Sequence, residues 1–266
     1  MNPSIGVWLP IWIASPSCSR VRSRRGSQER DRRITASLWG FTKASCCDVS
    51  THGHRTLGQF FQDDIATPLG LDVYIRLPEE IPNSCLAIIA RPRPIDMVLG
   101  FPLRFTFEAM NPRSKIVRAL RGSEFPHDER RIYARNFEVP SGGAVGTARA
   151  IAQAYSVFAT GGREMGLRQE TLDLLAAPAV PATRGFYDEC LKGPVQFSLG
   201  FMKPSPMWPF GSPRSFGSPG SGGSLGFADP EMGVGYAYVT SQMGTSLTGD
   251  PRDVALRDAL YSVLRK

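Results

Sequence analysis

The sequence predicts an α+β fold in which an antiparallel sheet, built around a C-terminal hairpin, is backed by the C-terminal helix. Three observations predict it. Ser224 to Ala228 and Gly235 to Thr240 are two strand-like runs joined by Asp229-Pro230-Glu231-Met232-Gly233, a hairpin signal. Asp250-Pro251-Arg252-Asp253 then starts a helix, with Asp250 as N-cap and Pro251 at the first helical position. Leu256, Leu260, Val263 and Leu264 supply the face expected to pack on the hairpin. Upstream, Thr147 caps a helix in which Ile151, Tyr155 and Phe158 recur on one face, and Gly161-Gly162 ends it.

The other elements follow in chain order. Thr56 to Ala66 places Leu57, Phe60, Phe61 and Ile65 on one helical face, and Pro68-Leu69-Gly70-Leu71 stops that helix. Val73 to Leu77 is a short strand candidate. Pro78, Pro82, Pro92, Pro94, Pro102 and Pro112 then exclude long regular elements between them. A second short helix runs from about Leu167 to Ala176. Between Ser205 and Ser224, 15 of 20 residues are Gly, Pro or Ser, a composition that in isolation reads as a flexible linker. The strand-like runs that follow it argue for an ordered segment instead. The chain contains no internal repeat.

At 266 residues and 42% apolar, the chain can bury a substantial core. Of its formal charge of +7, residues 1–55 contribute most, with nine basic and three acidic side chains. A nearly neutral body behind a basic leader is not the electrostatic footprint of a nucleic-acid-binding domain, and no nucleic-acid partner is expected. Cys18, Cys46, Cys47, Cys85 and Cys190 are an odd set without the spacing of a disulfide framework, which points to a reducing, intracellular compartment, the cytoplasm first. The apolar run Gly6 to Ala14 is too short to span a bilayer, and the arginines follow it where a signal peptide wants them before. The Arg- and Ser-rich start is compatible with a mitochondrial transit segment, although Pro3, Pro10 and Pro16 interrupt an amphipathic helix there.

From Met1 to about Arg55 no period persists, and Arg20 to Arg33 crowd a polar stretch that reads as disordered. The texture changes at Thr56, so the chain divides into a leader, 1–55, and a body, 56–266. In the body, Phe216-Gly217-Ser218-Pro219-Gly220-Ser221-Gly222-Gly223-Ser224-Leu225-Gly226-Phe227-Ala228-Asp229-Pro230 resembles the third active-site motif of serine β-lactamases and penicillin-binding proteins, nearest the class C and esterase-like branch. The helix ending at Pro68-Leu69-Gly70-Leu71, Pro140-Ser141-Gly142-Gly143 before Thr147-Ala148-Arg149, Tyr155 to Gly162, and Phe197-Ser198-Leu199-Gly200-Phe201 occur in the matching order. The resemblance covers about 210 residues and implies a partial β-lactamase/transpeptidase-like fold, with part of that family's helical lobe.

It also implies a chemistry: a serine nucleophile deprotonated by a lysine one helical turn away, a Tyr-x-Asn group, and a Lys-Thr-Gly or His-x-Gly strand offering a backbone N–H to the oxyanion. Only the last cluster is represented. Within it Ser218 takes the Lys or His position, Pro219 the Thr position and Gly220 the Gly, and the N–H of Ser221 is the expected donor. Ser218 has no charge and Pro219 neither hydroxyl nor N–H, which fits the esterase-like branch better than recognition of a lactam carboxylate. No serine is followed three positions later by lysine, and no Tyr-x-Asn occurs. The expected reading is a hydrolase-family chain acting on esters or amides as a family but shortened and inactive in this form, residues 1 to about 50 replacing the segment with the missing clusters. The alternative is a non-catalytic protein that binds a small ligand or a partner in the remaining cleft. A small ester or amide is the expected ligand, with no cofactor, no metal and no membrane. Without the strands that pair with the sheet in the complete fold, self-association through an exposed sheet edge is expected.

Competing motifs have plainer readings. Gly222-Gly223-Ser224-Leu225-Gly226 matches the Gly-x-Ser-x-Gly nucleophile elbow, but a hairpin rather than a helix follows, and the last histidine, His127, lies upstream. Cys46, Cys47, Asp48, His52 and His54 are metal-ligand types whose spacing fits no zinc pattern. Ser141-Gly142-Gly143 has no lysine in a P-loop register. Tyr155 and Tyr187 read as core aromatics, and Lys115, Lys192 and Lys203 lack a serine at dyad spacing.

Overall fold

A computed structural model describes residues 7–8, 55–90, 92–93, 95–96, 107, 110–114, 138, 144–181, 185–188, 193–220, 222–246 and 249–266. The first helix, α1 (Leu57–Phe61), starts with a reciprocal capping box: the Gln59 N–H donates to Thr56 Oγ1, and the Thr56 N–H donates to Gln59 Oε1 at 2.9 Å. The Glu138 carboxylate also sits at this helix start and accepts the Gly58 N–H at 2.8 Å, where the macrodipole favours negative charge. One π-helical turn over Gln62–Ala66 continues it. Ala66, Leu71 and Val73 then bury against Ala150 and Ile151.

Strand β1 (Val7–Trp8) and strand β2 (Val73–Tyr74) flank β3 (Val145–Gly146) in a small antiparallel sheet. Val7–Trp8 falls in the leader, where no strand is expected from the sequence. The expected strand Val73 to Leu77 is shorter, though Leu77 is buried beside Leu86 and Val145. Helix α2 (Ala148–Ala159) begins at Thr147, whose hydroxyl accepts the Ala150 N–H, and stops at Gly161 and Gly162, which both take positive φ. Helix α3 (Gln169–Ala176) follows.

The main sheet is antiparallel, in the order β10 (Val234–Tyr238), β9 (Leu225–Asp229), β8 (Phe216–Pro219), β7 (Phe201–Met202) and β6 (Phe197–Ser198). A separate pair, β4 (Tyr187–Asp188) and β5 (Gly193–Pro194), precedes it. β8 is drawn from the Gly/Pro/Ser stretch, and Phe216 at its start is fully buried. The register pairs Gly217 and Tyr236 with Phe227, and Phe216 and Gly235 with Ala228, so alternate residues face opposite layers.

One face holds Phe216 and Ala228 against Leu175 of α3 and Ala159 of α2. Two glycines let α2 lie directly on this face. A Cβ on Gly226 would stand 2.6 Å from the Tyr155 ring, and one on Gly235 only 2.2 Å from the Ser156 backbone nitrogen. Lys203 is 2% exposed on the same side. Its amine donates to the Leu175 carbonyl at the end of α3 and lies 5.0 Å from the Phe216 ring centroid.

The other face packs Phe227, Leu225, Met202, Trp208 and Phe210 beneath the C-terminal helix, α4 (Pro251–Leu264). Here the expected packing face is corrected. The residues that α4 buries are Asp253, Arg257 and Tyr261, whereas Leu256 and Val263 are 55% and 66% exposed, Leu264 is exposed too, and Leu260 is only partly covered. Specific polar bonds fix this rotation. Arg257 donates to Asp253 Oδ2 at 2.9 Å and to the Pro209 carbonyl at 2.8 Å, and the Tyr236 hydroxyl donates to Asp253 Oδ1 at 2.9 Å. Tyr261 reaches further in. Its hydroxyl donates to Asp229 Oδ2 at 2.5 Å, and the same fully buried carboxylate accepts the Ser212 N–H, the Ser212 hydroxyl and the Glu231 and Met232 N–H groups.

Two predictions follow from this packing. Gly235→Ala drives a methyl into the α2 backbone and lowers stability by about 1–3 kcal/mol, read as a lower urea midpoint at unchanged m. Burial pushes the Lys203 amine down from its ordinary 10.5 to about 8. Between those values the unfolded chain holds a proton that the folded chain has shed, so stability rises with pH, by at most about 1.4 kcal/mol per unit. The rise ends near pH 10, because burial raises the Tyr155, Tyr236 and Tyr261 phenols and their unfolded forms ionise first. Melting curves across this window show the rise in the parent and a flat response in Lys203→Met.

Candidate functional site

Ser218 and Pro219 close β8, opposite Gly226 and Leu225. β8 meets β7 through the single pair Met202↔Gly217. Ser218 therefore shares the α2-side face of the sheet with Phe216, Gly226 and Ala228. Gly220 opens the turn into β9, while Ser221, the expected oxyanion donor, lies outside the described residues.

The turn is tightly tied. The Gly220 N–H donates to the Ser224 carbonyl at 2.6 Å and is thereby spent, and the Gly223 N–H donates back to the Gly220 carbonyl at 3.2 Å. Gly222 and Gly223 take φ of +86° and +105°, which side chains resist. From outside, the Gly244 N–H donates to the Gly222 carbonyl at 2.8 Å, and the Met243 side chain packs on Gly222. Met243 is itself held by its N–H to the Ala90 carbonyl at 2.9 Å.

Asp250 wedges this arrangement in place. Its side chain lies against the bare Cα positions of both Gly223 and Gly244, so that a Cβ on either would stand within 2.6 Å of it. Asp250 caps α4 by accepting the Arg252 N–H at 2.9 Å, and the Arg252 guanidinium grips both carboxylate oxygens, at 2.7 and 2.6 Å. Arg252 also donates to the Gln242 carbonyl at 2.8 Å, closing a brace from the helix start to the loop that holds Gly222. The Arg252 bonds hold the Asp250 carboxyl below the usual carboxylate range in spite of burial.

Behind the turn lies a cleft of about 30 Å³, lined among others by Trp208, Phe210, Gly220, Ser224, Asp250 and Arg257. By the threshold of about 10–15 Å³ for one water, its enclosed part has room for about two waters. Among the described residues Arg257 is the one cation lining it, and Asp253 and the Pro209 carbonyl engage that group. Burial pushes the Asp253 carboxyl up against the opposing pull of Arg257 and Tyr236.

The competing serine is excluded by geometry: Ser224 is 3% exposed and leads into strand β9, not a helix. Tyr155 is a core residue, its phenol pushed up by burial. Tyr187, expected in the core, is instead 53% exposed on the short β4–β5 pair. Two features escaped sequence reasoning, the buried Lys203 and the Asp229 network. Only the Asp229 bonds to Glu231 and Met232 were foreseeable, as a local Asp-turn. Among the described residues no cluster of three His, Cys, Asp or Glu could hold a metal, and no helix is long and apolar enough to cross a membrane. Cys46, Cys47, Asp48, His52, His54, Lys115, His127, the Ser141 turn and Lys192 lie outside the described residues.

A family model described as beta-lactamase matches residues 48–261. The esterase/beta-lactamase LipL of Mycobacterium tuberculosis is 35% identical over 107 residues, 40% of this chain and 24% of that protein. Among solved structures, a penicillin-binding protein homolog from Caulobacter crescentus matches with TM-score 0.70 at 27% identity, covering 90% of this chain and 60% of its own. EstA from Arthrobacter nitroguajacolicus Rue61a matches with TM-score 0.70 at 25% identity, covering 91% and 62%. The chain thus spans less than two thirds of each of these three relatives.

Asp250→Ala removes the wedge and the cap together. The expected cost is about 1–3 kcal/mol, limited because Arg252 can turn to solvent. Hydrogen exchange should quicken at the Gly220, Gly223 and Gly244 amides while those of β9 and β10 keep their relative protection.

Proposed function

Because the chain belongs to the beta-lactamase family, we propose that the Ser218–Ser224 turn is the carbonyl-binding part of an ester- or amide-hydrolase site, carried here without its own nucleophile. The observation that supports this most is the turn itself. Gly220 uses its N–H internally, at 2.6 Å to Ser224, so that amide is not open to an oxyanion, and the assignment of the donor to Ser221 rests on the sequence motif. The positive φ of Gly222 and Gly223 and the Asp250 wedge fix the described part of the turn, the kind of rigid backbone on which preorganised oxyanion donors are carried.

Each side chain then has a limited role. Ser218 stands where the family carries Lys or His and brings a neutral hydroxyl. Pro219 brings no donor, so substrate recognition favours a neutral ester or amide over one bearing a carboxylate. Turnover needs an activated hydroxyl, and the sequence contains no Ser-x-x-Lys pair.

A fluorophosphonate probe tests the reading, alongside a neutral chromogenic ester and a carboxylate-bearing chromogenic lactam. The expected outcome is no labelling and no hydrolysis above buffer. Stoichiometric labelling of one serine, with hydrolysis that disappears when that serine is replaced, overturns it.

A further inference from the structure

Strand β1 sets two residues of the leader, Val7 and Trp8, against β3. The register shows what that contact supplies. β3 pairs with β2 on one side and with β1 on the other, so Gly146 stands opposite both Val73 and Val7, and Val145 opposite both Tyr74 and Trp8. In an antiparallel pair a residue turns its N–H and its C=O to the same side, and the next residue turns both to the other. The Thr147 N–H donates to the Asp72 carbonyl at 3.2 Å, so Thr147 turns toward the β2 side. Val145 does the same, and Gly146 therefore turns both of its main-chain groups toward β1.

Gly146 cannot leave those groups to water. It is buried, and a Cβ on it would stand 2.8 Å from the Val73 side chain and 3.0 Å from the Asp72 carbonyl oxygen. A buried main-chain N–H or C=O without a partner costs as much as a lost hydrogen bond, and Val7 is the residue that stands opposite both groups here. The place matters because Thr147, the cap of α2, follows directly. A break at Gly146 loosens the entry to the helix that lies on Gly226 and Gly235.

We propose that the start of the leader is a clip that the folded protein keeps, in which Val7 supplies the main-chain partner of Gly146 and thereby steadies the start of α2. Pairing of this kind is made by extended main chain, so a segment without a strand period can provide it. A segment cut away after targeting cannot hold this position, which speaks against the transit reading of these residues. The inference uses none of the Ser218 turn and stands apart from the proposed chemistry.

Amide-resolved hydrogen exchange of the full chain tests it, at two concentrations about tenfold apart and beside Val7→Pro, which removes the Val7 N–H. In the parent the Val7 and Gly146 amides should exchange at least about tenfold more slowly than in free peptide, and equally at both concentrations, because clip and sheet belong to one chain. In Val7→Pro the Gly146 amide should lose about tenfold or more of that protection while the β9 and β10 amides keep theirs. If the variant does not fold, the Val7 amide of the parent decides alone. Exchange of either amide in the parent at the free-peptide rate overturns the proposal, as does Gly146 protection that Val7→Pro leaves unchanged. Protection that appears only in the concentrated sample overturns the assignment to a single chain.

Discussion

A single buried carboxylate, Asp229, holds the C-terminal half of the molecule together. Placed at the end of β9 with no exposed surface, it gathers donors from the loop before β8, from the β9–β10 turn and from α4. Burial alone would push its carboxyl up, but these bonds outweigh that penalty and leave it below the ordinary value. The bond from Tyr261 also dictates how α4 is rotated. With Tyr261 drawn inward, Arg257 and Asp253 follow one and two turns earlier, and Leu256 and Leu264 are turned outward. Hydrophobic burial supplies bulk stabilisation on this side of the sheet, through Phe227, Trp208 and Phe210, while the polar set decides orientation.

The turn at Gly220 depends on the same helix from its other end. Asp250 is at once the cap of α4 and the wedge behind Gly223, so the helix start and the turn share one side chain. Rotation of α4 about Asp229 and Tyr261 and placement of the turn are therefore mechanically linked. The coupling runs through short, charge-assisted bonds with little slack.

Local signals in the chain were sufficient for the hairpin, for the Thr147 and Asp250 caps and for the glycine stop after α2, because each depends on residues within a few positions of one another. The turn after Ser218 was not legible as a turn: the run matched a strand motif, and the reversal shows only in the positive φ of Gly222 and Gly223. The packing face of α4 was not legible either, since apolar spacing pointed to Leu256 and Val263 while the deciding partners, Pro209 and Asp229, lie far back in sequence. Lys203 escaped for a like reason. Its amine meets a carbonyl 28 residues earlier, on a helix end that no pattern ties to it. Nor could composition separate β8 from a linker, because its place in the sheet comes from the strands on either side.

The contact of α2 with Gly226 and Gly235 bears on how the molecule can move. Most helices ride on a sheet through a cushion of side chains, whose rotamer hops let the layers slip past one another by small steps. Here main chain rests on main chain at Gly235, with no cushion to shear. Helix and strand must translate as one rigid plate, and any breathing is displaced to the loops at the plate's rim, among them the span from Ser241 to Gly244 that leans on the glycine turn.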